Sequence, residues 1–575
     1  MFRIIILFLN VFIVFGDDPI VETSHGIVQG KVLTTLYEEK EYYGFMGIPF
    51  AEPPVKELRF KAPREIDPWD GTLLATKEKP ACIQFNNDVK KGQPLGQYGV
   101  EDCLYLDIFT PNIDENRRAV IVFIYNDRLQ NSYNKSLDYA PDFFIEEDIV
   151  IVTPSHRLST FGFLSFDDEH LPGNAGLLDL YLSLKWIAKN IQRFGGDPDR
   201  ITLMGSQGGA AAIDLLLHSK ANELFHSAIL QSGTSLTTMY LQDNVRERAL
   251  KLRELLNIPS TNTEKILKDL QDTLPSIIFR NELQAMPDNY NTDKQRSLLP
   301  FGPIVEKRPD GFITEYPENI VGSMKKPVMV GMNSREGLAL SIHYLSQPNF
   351  FGSINKHFPL IMPKRLKYKL NPILDNYIEA IEEVKKFYFG KNKITIKNIP
   401  EFINYIGDVI TAYSINMMVE NFANKSSVYY YYFDYYSNLN QNKNNLLKLS
   451  EVSDGTWGTA TGDELCYLFK CPELRETYLK YKRTLSQEFQ IQRKMVKMWA
   501  NFAKHSNPTP DENNPFNIKW PTYESESKQY LHIKENIEIG EKLLEERFKF
   551  WDDFMKKWEE RAINEMARGN IKDEL

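Results

Sequence analysis

Short apolar runs rich in β-branched residues alternate along the chain with longer segments of helical periodicity. Residues 119–124 read Ala-Val-Ile-Val-Phe-Ile, and residues 148–153 read Asp-Ile-Val-Ile-Val-Thr. Such runs are typical of strands that are buried on both faces of a sheet. Residues 177–194 have apolar side chains at helical spacing, and the Gly-Gly-Asp-Pro of residues 195–198 predicts the end of that helix. The alternation predicts an α/β protein with a large, mostly parallel central sheet and helices on both faces.

Other segments extend this pattern towards both ends of the chain. Apolar residues alternate around two glycines over residues 19–35, which predicts a hairpin. Further buried strands are predicted at residues 201–204, 327–330 and 428–436. Residues 438–445 are rich in asparagine and predict a surface loop, whereas residues 542–566 predict a terminal helix. No internal repeat or long linker divides the chain.

Composition and charge argue against several classes of function. The 575 residues are 42% hydrophobic and 12% aromatic, which is enough for a large core and too apolar for a disordered protein. The formal net charge of -9 argues against nucleic acid or an anionic membrane as the main partner. His218 and His226 are interpreted as packing or surface residues, and residues 205–209 lack the lysine and spacing of a nucleotide-binding loop. We therefore expect no metal site and no cofactor.

Both ends of the chain carry signals of the secretory pathway. Arg3 precedes an apolar run over residues 4–15, which is shorter than the roughly 20 residues that a membrane span needs. Residues 1–16 therefore predict a signal peptide rather than a transmembrane anchor. The last four residues are those of a retrieval signal that a receptor of the endoplasmic reticulum (ER) reads, namely Lys572, Asp573, Glu574 and Leu575. Together the two signals predict a protein of the ER lumen, with the retrieval receptor as a partner; a charged tail that ends this way by chance is the alternative.

The ER lumen allows disulfides and glycosylation. Cys82 and Cys103 enclose a loop whose cross-link would restrict the unfolded chain and stabilise the fold by roughly 3 kcal/mol. Cys466 and Cys471 are so close in sequence that their pairing stays open. Candidate glycosylation sites are Asn134 and Asn424.

Four blocks of sequence are distinctive. They are Gly-Ile-Pro-Phe-Ala-Glu-Pro-Pro at residues 47–54, Glu-Asp-Cys-Leu-Tyr-Leu at 101–106, Gly-Asn-Ala-Gly-Leu at 173–177 and Phe-Gly-Gly-Asp-Pro at 194–198. Together these blocks resemble the type-B carboxylesterase and cholinesterase family. The resemblance implies one α/β-hydrolase domain over residues 17–551, followed by a C-terminal helix and tail over residues 552–575. It also supports pairing of Cys82 with Cys103, because the family pairs cysteines in these two contexts.

The same resemblance locates the catalytic positions. An esterase of this fold needs a serine nucleophile on a tight strand-to-helix turn, a histidine base and an acid that orients the histidine. Here the nucleophile position holds Gln207, the base position Thr461 and the acid position Glu336. An amide cannot form an acyl-enzyme, and a threonine cannot accept and return a proton near neutral pH. Ser206 lies one residue early, and the register that would make it the nucleophile puts a methionine where a small residue is needed.

The oxyanion loop departs from the family as well. Where the family has His-Gly-Gly-Gly, this chain has Tyr125, Asn126, Asp127 and Arg128. We expect these side chains to restrict the backbone, and we expect Asp127 to place a negative charge where one is unfavourable. Glu336 is then interpreted as a structural carboxylate that neighbouring backbone or an arginine satisfies.

These departures predict a catalytically inactive, carboxylesterase-like protein of the ER lumen. Its partners would be a secreted protein client or a small lipophilic ligand, because a family gorge could keep apolar walls after losing its triad. The alternative is a divergent, weakly active ER carboxylesterase that uses Ser206 with a water or Glu336 as base. An ester-turnover assay distinguishes the two functions. Turnover that is lost in the Ser206→Ala variant would support the weakly active esterase.

Overall fold

An eleven-stranded sheet forms the centre of the molecule in the computed structural model. The structure describes residues 18–85, 96–132, 136, 138–237, 239–242, 245–286, 299–319, 325–363, 375–390, 393–511 and 518–573. The predicted signal peptide, the glycosylation candidate Asn134, and Glu574 and Leu575 lie outside the described residues. No helix of the described chain is both long enough and apolar enough to cross a membrane.

The strands are β1 (Ile20–Thr23), β2 (Gly26–Gln29), β3 (Lys31–Thr34), β4 (Glu41–Pro49), β5 (Thr72–Leu74), β6 (Gln84–Phe85), β7 (Gln97–Tyr98), β8 (Tyr105–Thr110), β9 (Arg118–Asn126), β10 (Val150–Pro154), β11 (Gly196–Gln207), β12 (Ser227–Gln231), β13 (Val328–Asn333), β14 (Val428–Phe433), β15 (Gln529–Ile533) and β16 (Glu538–Glu541). The order in the large sheet is β16-β15-β14-β13-β12-β11-β9-β10-β8-β4-β3. All neighbouring pairs from β10 to β15 in this order are parallel, and antiparallel strands complete both edges. The expected mostly parallel sheet is confirmed.

The α-helices are α1 (Asp142–Glu146), α2 (Ser159–Phe163), α3 (Ala175–Asn190), α4 (Gly208–Leu217), α5 (Val245–Leu255), α6 (Thr263–Asp272), α7 (Pro275–Glu282), α8 (Leu338–Ser346), α9 (Ile354–His357), α10 (Asp375–Phe389), α11 (Ile399–Gly407), α12 (Tyr413–Ala423), α13 (Gln441–Leu449), α14 (Leu465–Leu468), α15 (Arg475–Thr484), α16 (Gln487–His505) and α17 (Glu545–Asp573). A π-helical turn, Asp408–Ala412, joins α11 to α12. Lys572 and Asp573, two residues of the predicted retrieval signal, belong to the last turn of α17.

Strand β9 shows why the sheet is covered on both faces. All nine of its residues are buried. Val120, Val122 and Ile124 pack into one core, whereas Ile121 and Phe123 pack into the other. Because successive side chains of a strand point to opposite faces, a continuously apolar run needs an apolar layer on each side. Helix α4 contributes to the first core and helix α16 to the second.

The expectation of a surface loop over residues 438–445 is wrong. Helix α13 begins at Gln441 and includes the second half of this segment. The carboxylate of Asp463 accepts hydrogen bonds from the Lys443 backbone N–H at 2.9 Å and from the Asn440 side chain at 3.1 Å. A carboxylate at the first turn satisfies amides that have no partner within the helix. Asparagine content therefore gave the wrong prediction because a distant acidic residue caps the helix.

Two disulfides cross-link the described chain. Cys82 pairs with Cys103, as the sequence predicted. Cys466 pairs with Cys471, a pairing that the sequence had left undecided. Asn424 follows the last residue of α12 and is exposed.

Candidate functional site

The turn between β11 and α4 places Gln207 at the tip of a tight elbow. Strand β11 ends at Gln207, and α4 begins with the next residue. The backbone of Gln207 has φ 53° and ψ -116°, a conformation that a residue with a side chain rarely adopts. Such a conformation costs roughly 1–3 kcal/mol and persists only where surrounding structure enforces it. Gly209 supplies part of that constraint, because a Cβ there would lie 1.9 Å from the carbonyl oxygen of Ile124 on β9.

A cavity of about 250 Å³, called the elbow cavity below, lies at this turn. It brings together the three triad positions Gln207, Glu336 and Thr461. The loop residues Tyr125, Asp127 and Arg128 also line it, together with residues that sequence reasoning had not named: Ser232, Met239, Tyr240, Ala339, Leu340, Ile410, Thr411, Asn442, Asn445, Leu446 and Leu449. The structure thus collects side chains that are far apart in sequence into one site.

Thr461 takes the place beside Glu336 that a histidine base would need. Its Oγ1 donates to Glu336 Oε2 at 2.6 Å. The other carboxylate oxygen accepts from Ser232 Oγ at 2.6 Å and from the Asn333 backbone N–H at 2.7 Å. Burial raises the pKa of Glu336, and these hydrogen bonds oppose the rise. Backbone and two hydroxyls therefore satisfy this carboxyl, and the arginine that the sequence allowed is not among these partners.

The Gln207 side chain is itself held in place. Its Nε2 donates to the Tyr125 hydroxyl at 3.0 Å. An amide in this position can donate and accept hydrogen bonds, but it offers no oxygen that forms an ester with an acyl group. The side chain at the elbow tip therefore offers polar contacts and no nucleophile of its own.

Ser206 does not reach the elbow cavity. It is completely buried in β11, where it pairs with Tyr125 on one neighbouring strand and Gln231 on the other. Its Oγ has no hydrogen-bond partner within the described residues. A hydroxyl in this place is not accessible to a substrate in the cavity.

The oxyanion loop keeps an unusual backbone without glycine. Arg128 has φ 56° and Leu129 has φ 59°, so the side chains do not prevent the left-handed conformation that we expected them to restrict. The backbone N–H of Asp127 donates to the carbonyl of Asn131 at 2.7 Å, and that of Leu129 donates to Asn126 Oδ1 at 3.0 Å. These two amides serve the loop itself, so they do not face a developing negative charge.

The charge of Asp127 is also neutralised locally, contrary to expectation. Both carboxylate oxygens accept from the guanidinium of Arg128 at 2.8 Å. This bidentate contact raises the pKa of Arg128 above its usual range. Asp127 therefore does not add an uncompensated negative charge to the elbow cavity.

A second buried carboxyl, Glu464, lies next to this site and was missed by sequence reasoning. It accepts from Gln231 Nε2 at 2.9 Å and from Asn333 Nδ2 at 2.6 Å. Burial raises its pKa to about 8, and the nearby charge of Glu336 adds to the rise. The one sequence signal was its place directly after the Gly-Asp that follows Thr461. Among the described residues, no cluster of three or more histidine, cysteine, aspartate or glutamate side chains could hold a metal ion.

Comparison with known proteins gives one consistent result. The model of the carboxylesterase family matches residues 17–551. Juvenile hormone esterase of Tribolium castaneum is 31% identical over 549 residues, which cover 91% of this chain and 90% of that protein. A carboxylic ester hydrolase of Bombus ignitus is 29% identical and covers 93% of this chain and 94% of its own length. Carboxylesterase 1E of Mus musculus is 29% identical and covers 94% of each chain.

Proposed function

Since the chain belongs to the carboxylesterase family, we propose that it is a member without triad hydrolysis, which acts as a noncatalytic binding protein of the ER lumen. The observation that carries the proposal is Gln207 at the elbow tip, hydrogen-bonded to Tyr125 where an esterase has its nucleophile. Thr461 at the base position and the internally bonded oxyanion loop point the same way. In a serine protease, loss of the nucleophile or the base alone lowers turnover about a millionfold. One oxyanion donor is worth roughly a further 10²–10³.

The proposed location rests on the two ends of the sequence. The apolar run of residues 4–15 and the terminal Lys-Asp-Glu-Leu support entry into the ER and retrieval by the receptor for that signal. The two disulfides are in keeping with an oxidising compartment.

The size of the elbow cavity bears on what is bound. Its volume of about 250 Å³ is below the roughly 300–1,000 Å³ of ordinary small-molecule pockets. A secreted protein client that contacts the surface is therefore favoured over a lipophilic ligand enclosed at the elbow. Purification of the protein from ER lumen, with mass spectrometry of bound proteins and of extracted lipids, tests this choice. A reproducible client that is absent from an unrelated protein with the same last four residues would support the proposal; a stoichiometric lipid would contradict it.

A divergent esterase is the second candidate function, and one contact favours it. Ser232 lines the elbow cavity, and its Oγ lies 2.6 Å from Glu336 Oε1. A hydroxyl beside a buried carboxylate is an arrangement from which a nucleophile can be activated. The relatives named above are esterases by name, which is the other support for this candidate.

An activity assay separates the two functions. Purified protein is incubated with p-nitrophenyl butyrate and, separately, with a fluorophosphonate probe; carboxylesterase 1E of mouse serves as the positive control. We expect turnover no faster than in buffer and no labelled serine. Ester turnover that Ser206→Ala or Ser232→Ala abolishes would refute the noncatalytic function. Turnover that survives both substitutions would indicate a contaminating esterase, which a second purification removes before the assay is repeated.

A further inference from the structure

A second cavity, twice as large as the elbow cavity, lies beside the oxyanion loop. Its volume is about 500 Å³, which is within the range of small-molecule sites. Tyr125 lines both cavities. The buried part is formed by Phe123, Tyr125, Tyr139 and His156, and exposed residues including Lys79 form the rim. None of the functions discussed above uses this cavity.

His156 lines the second cavity, and its ring has one nitrogen engaged by Asn126. Asn126 Oδ1 accepts from the Leu129 backbone N–H at 3.0 Å, which fixes the orientation of the amide and directs Nδ2 to His156 Nε2 at 3.1 Å. Because an amide nitrogen only donates, Nε2 of the ring must accept and the ring proton must be on Nδ1. Burial lowers the pKa of His156 to about 4, so the ring is neutral at neutral pH. This is the only hydrogen bond of the ring in the described part of the chain, and Nδ1–H is thus available to a ligand.

The rim of the cavity offers a positive charge. Lys79 is exposed, and its ammonium lies 5.5 Å from the centre of the Tyr105 ring. Within the described residues it forms no ion pair with a carboxylate. The neighbouring Glu78 also lines the cavity, but its carboxylate accepts from the backbone N–H and the hydroxyl of Ser136. Those hydrogen bonds hold the Glu78 carboxylate at Ser136, although it keeps its charge. Because the Lys79 ammonium is not paired with it, the ammonium can attract an anionic group at the rim.

The aromatic walls of the second cavity suit a flat apolar body. The ring centres of Tyr125 and Tyr139 are 5.4 Å apart, and that of Phe123 lies 6.2 Å from Tyr125 and 6.3 Å from Tyr139. Such a cluster contacts aromatic groups through faces and edges. A carboxylate is best placed at the solvated rim, because burying it against a neutral imidazole would be costly.

We propose that the second cavity binds an aromatic carboxylic acid that has a carbonyl oxygen at the opposite end of the molecule. The apolar body packs among Phe123, Tyr125 and Tyr139, the carbonyl accepts from His156 Nδ1–H, and the carboxylate lies beside Lys79. Apart from Tyr125, this site is lined by other residues than the elbow cavity, and the proposal does not depend on whether the protein hydrolyses esters.

Three matched probes test the proposal by isothermal titration calorimetry: 6-acetyl-2-naphthoate, 2-naphthoate, which lacks the carbonyl, and 2-acetylnaphthalene, which lacks the carboxylate. We expect 6-acetyl-2-naphthoate to bind the intact protein most tightly, with each missing group weakening binding about three- to tenfold. In His156→Phe the acetyl group should lose its advantage over 2-naphthoate. In Lys79→Met the carboxylate should lose its advantage over 2-acetylnaphthalene. Thr461→Val, at the elbow cavity, is the control and should bind all three probes unchanged.

A measurement on the unsubstituted protein guards against a variant that does not fold. In protein labelled with 15N-histidine, we expect 6-acetyl-2-naphthoate to shift the Nδ1 resonance of His156 and 2-naphthoate to shift it much less. Equal affinity for all three probes, or an unchanged His156 resonance at saturation, would overturn the proposal. Failure of every probe to bind up to its solubility limit would overturn it as well.

Discussion

Replacing Glu464 by glutamine should change how the stability of the protein depends on pH. The pKa of this carboxyl is about 8 in the folded protein, against an ordinary value of 4.5. A carboxyl whose pKa is raised by folding holds its proton more tightly in the folded state, so stability falls as pH rises between the two values. One pKa unit corresponds to about 1.4 kcal/mol, so the loss is on the order of 5 kcal/mol over the whole interval and about 2 kcal/mol from pH 6 to pH 7.5.

Glutamine has nearly the same shape as the protonated acid and does not titrate in this range. The structure also has room for its donor, because Gln231 Oε1 and Asn333 Oδ1 are buried without a hydrogen-bond partner in the described chain. Either amide can turn its oxygen towards a donor at position 464. Glu464→Gln should therefore gain about 2 kcal/mol in free energy of unfolding relative to the unsubstituted protein between pH 6 and pH 7.5.

Urea unfolding monitored by tryptophan fluorescence at a series of pH values measures this difference. The exposed Glu526→Gln serves as the matched control, and its curve should follow that of the unsubstituted protein. If the Glu464→Gln difference is constant between pH 6 and pH 7.5, Glu464 does not keep its proton in the folded protein and the reasoning is refuted.

Three further predictions concern stability and location. Thr461→Val removes the donor to Glu336 Oε2 and should lower the free energy of unfolding by about 1–3 kcal/mol in urea titrations, whereas Thr461→Ser should lower it much less. Arg547→Met leaves the buried Asp408 without its ion-pair partner and should lower the free energy of unfolding by about 3–5 kcal/mol; equal stability would show that this ion pair does not stabilise the fold. Deletion of residues 572–575 should move the protein from cell extract to medium in immunoblots, and continued retention would exclude the retrieval signal as the cause of residence.

The arrangement of the sheet could be predicted because its central strands are apolar without interruption. Residues 119–124 fall inside β9, and residues 201–204 fall inside β11. The two glycines within residues 19–35 predicted the first hairpin, which strands β1 and β2 form. The start of α13 could not be found in this way, because the Asp463 carboxylate that caps it is 20 positions away from Lys443 in sequence. Local composition predicts structure where the stabilising contacts are local, and not elsewhere.

The positions of the candidate site could be predicted from the sequence, whereas the contacts between its side chains could not. The elbow residue Gln207 and the facing Thr461 were located from aligned motifs, since each motif fixes a backbone position. The hydrogen-bond partners of the site residues depend on tertiary packing. The sequence therefore could not predict that the Tyr125 hydroxyl contacts Gln207 or that the Ser232 hydroxyl contacts Glu336. The pairing of Asn126 with His156 joins two residues that no motif connects, and it is this pair that defines the donor of the second cavity.

The elbow keeps a strained backbone although the residue at its tip is an amide. Gln207 keeps φ 53°, a conformation worth roughly 1–3 kcal/mol of strain, although an amide there gains nothing from exposure to a substrate. The cause lies in the packing of α4 against β9, where Gly209 approaches the Ile124 carbonyl too closely for any side chain. Relaxing the turn would separate a helix from the strand on which it packs, and that loss affects the core rather than the cavity. The conformation of the elbow therefore follows from the fold, whereas the identity of the residue at its tip determines the chemistry, and a chain of this family can change the second without disturbing the first.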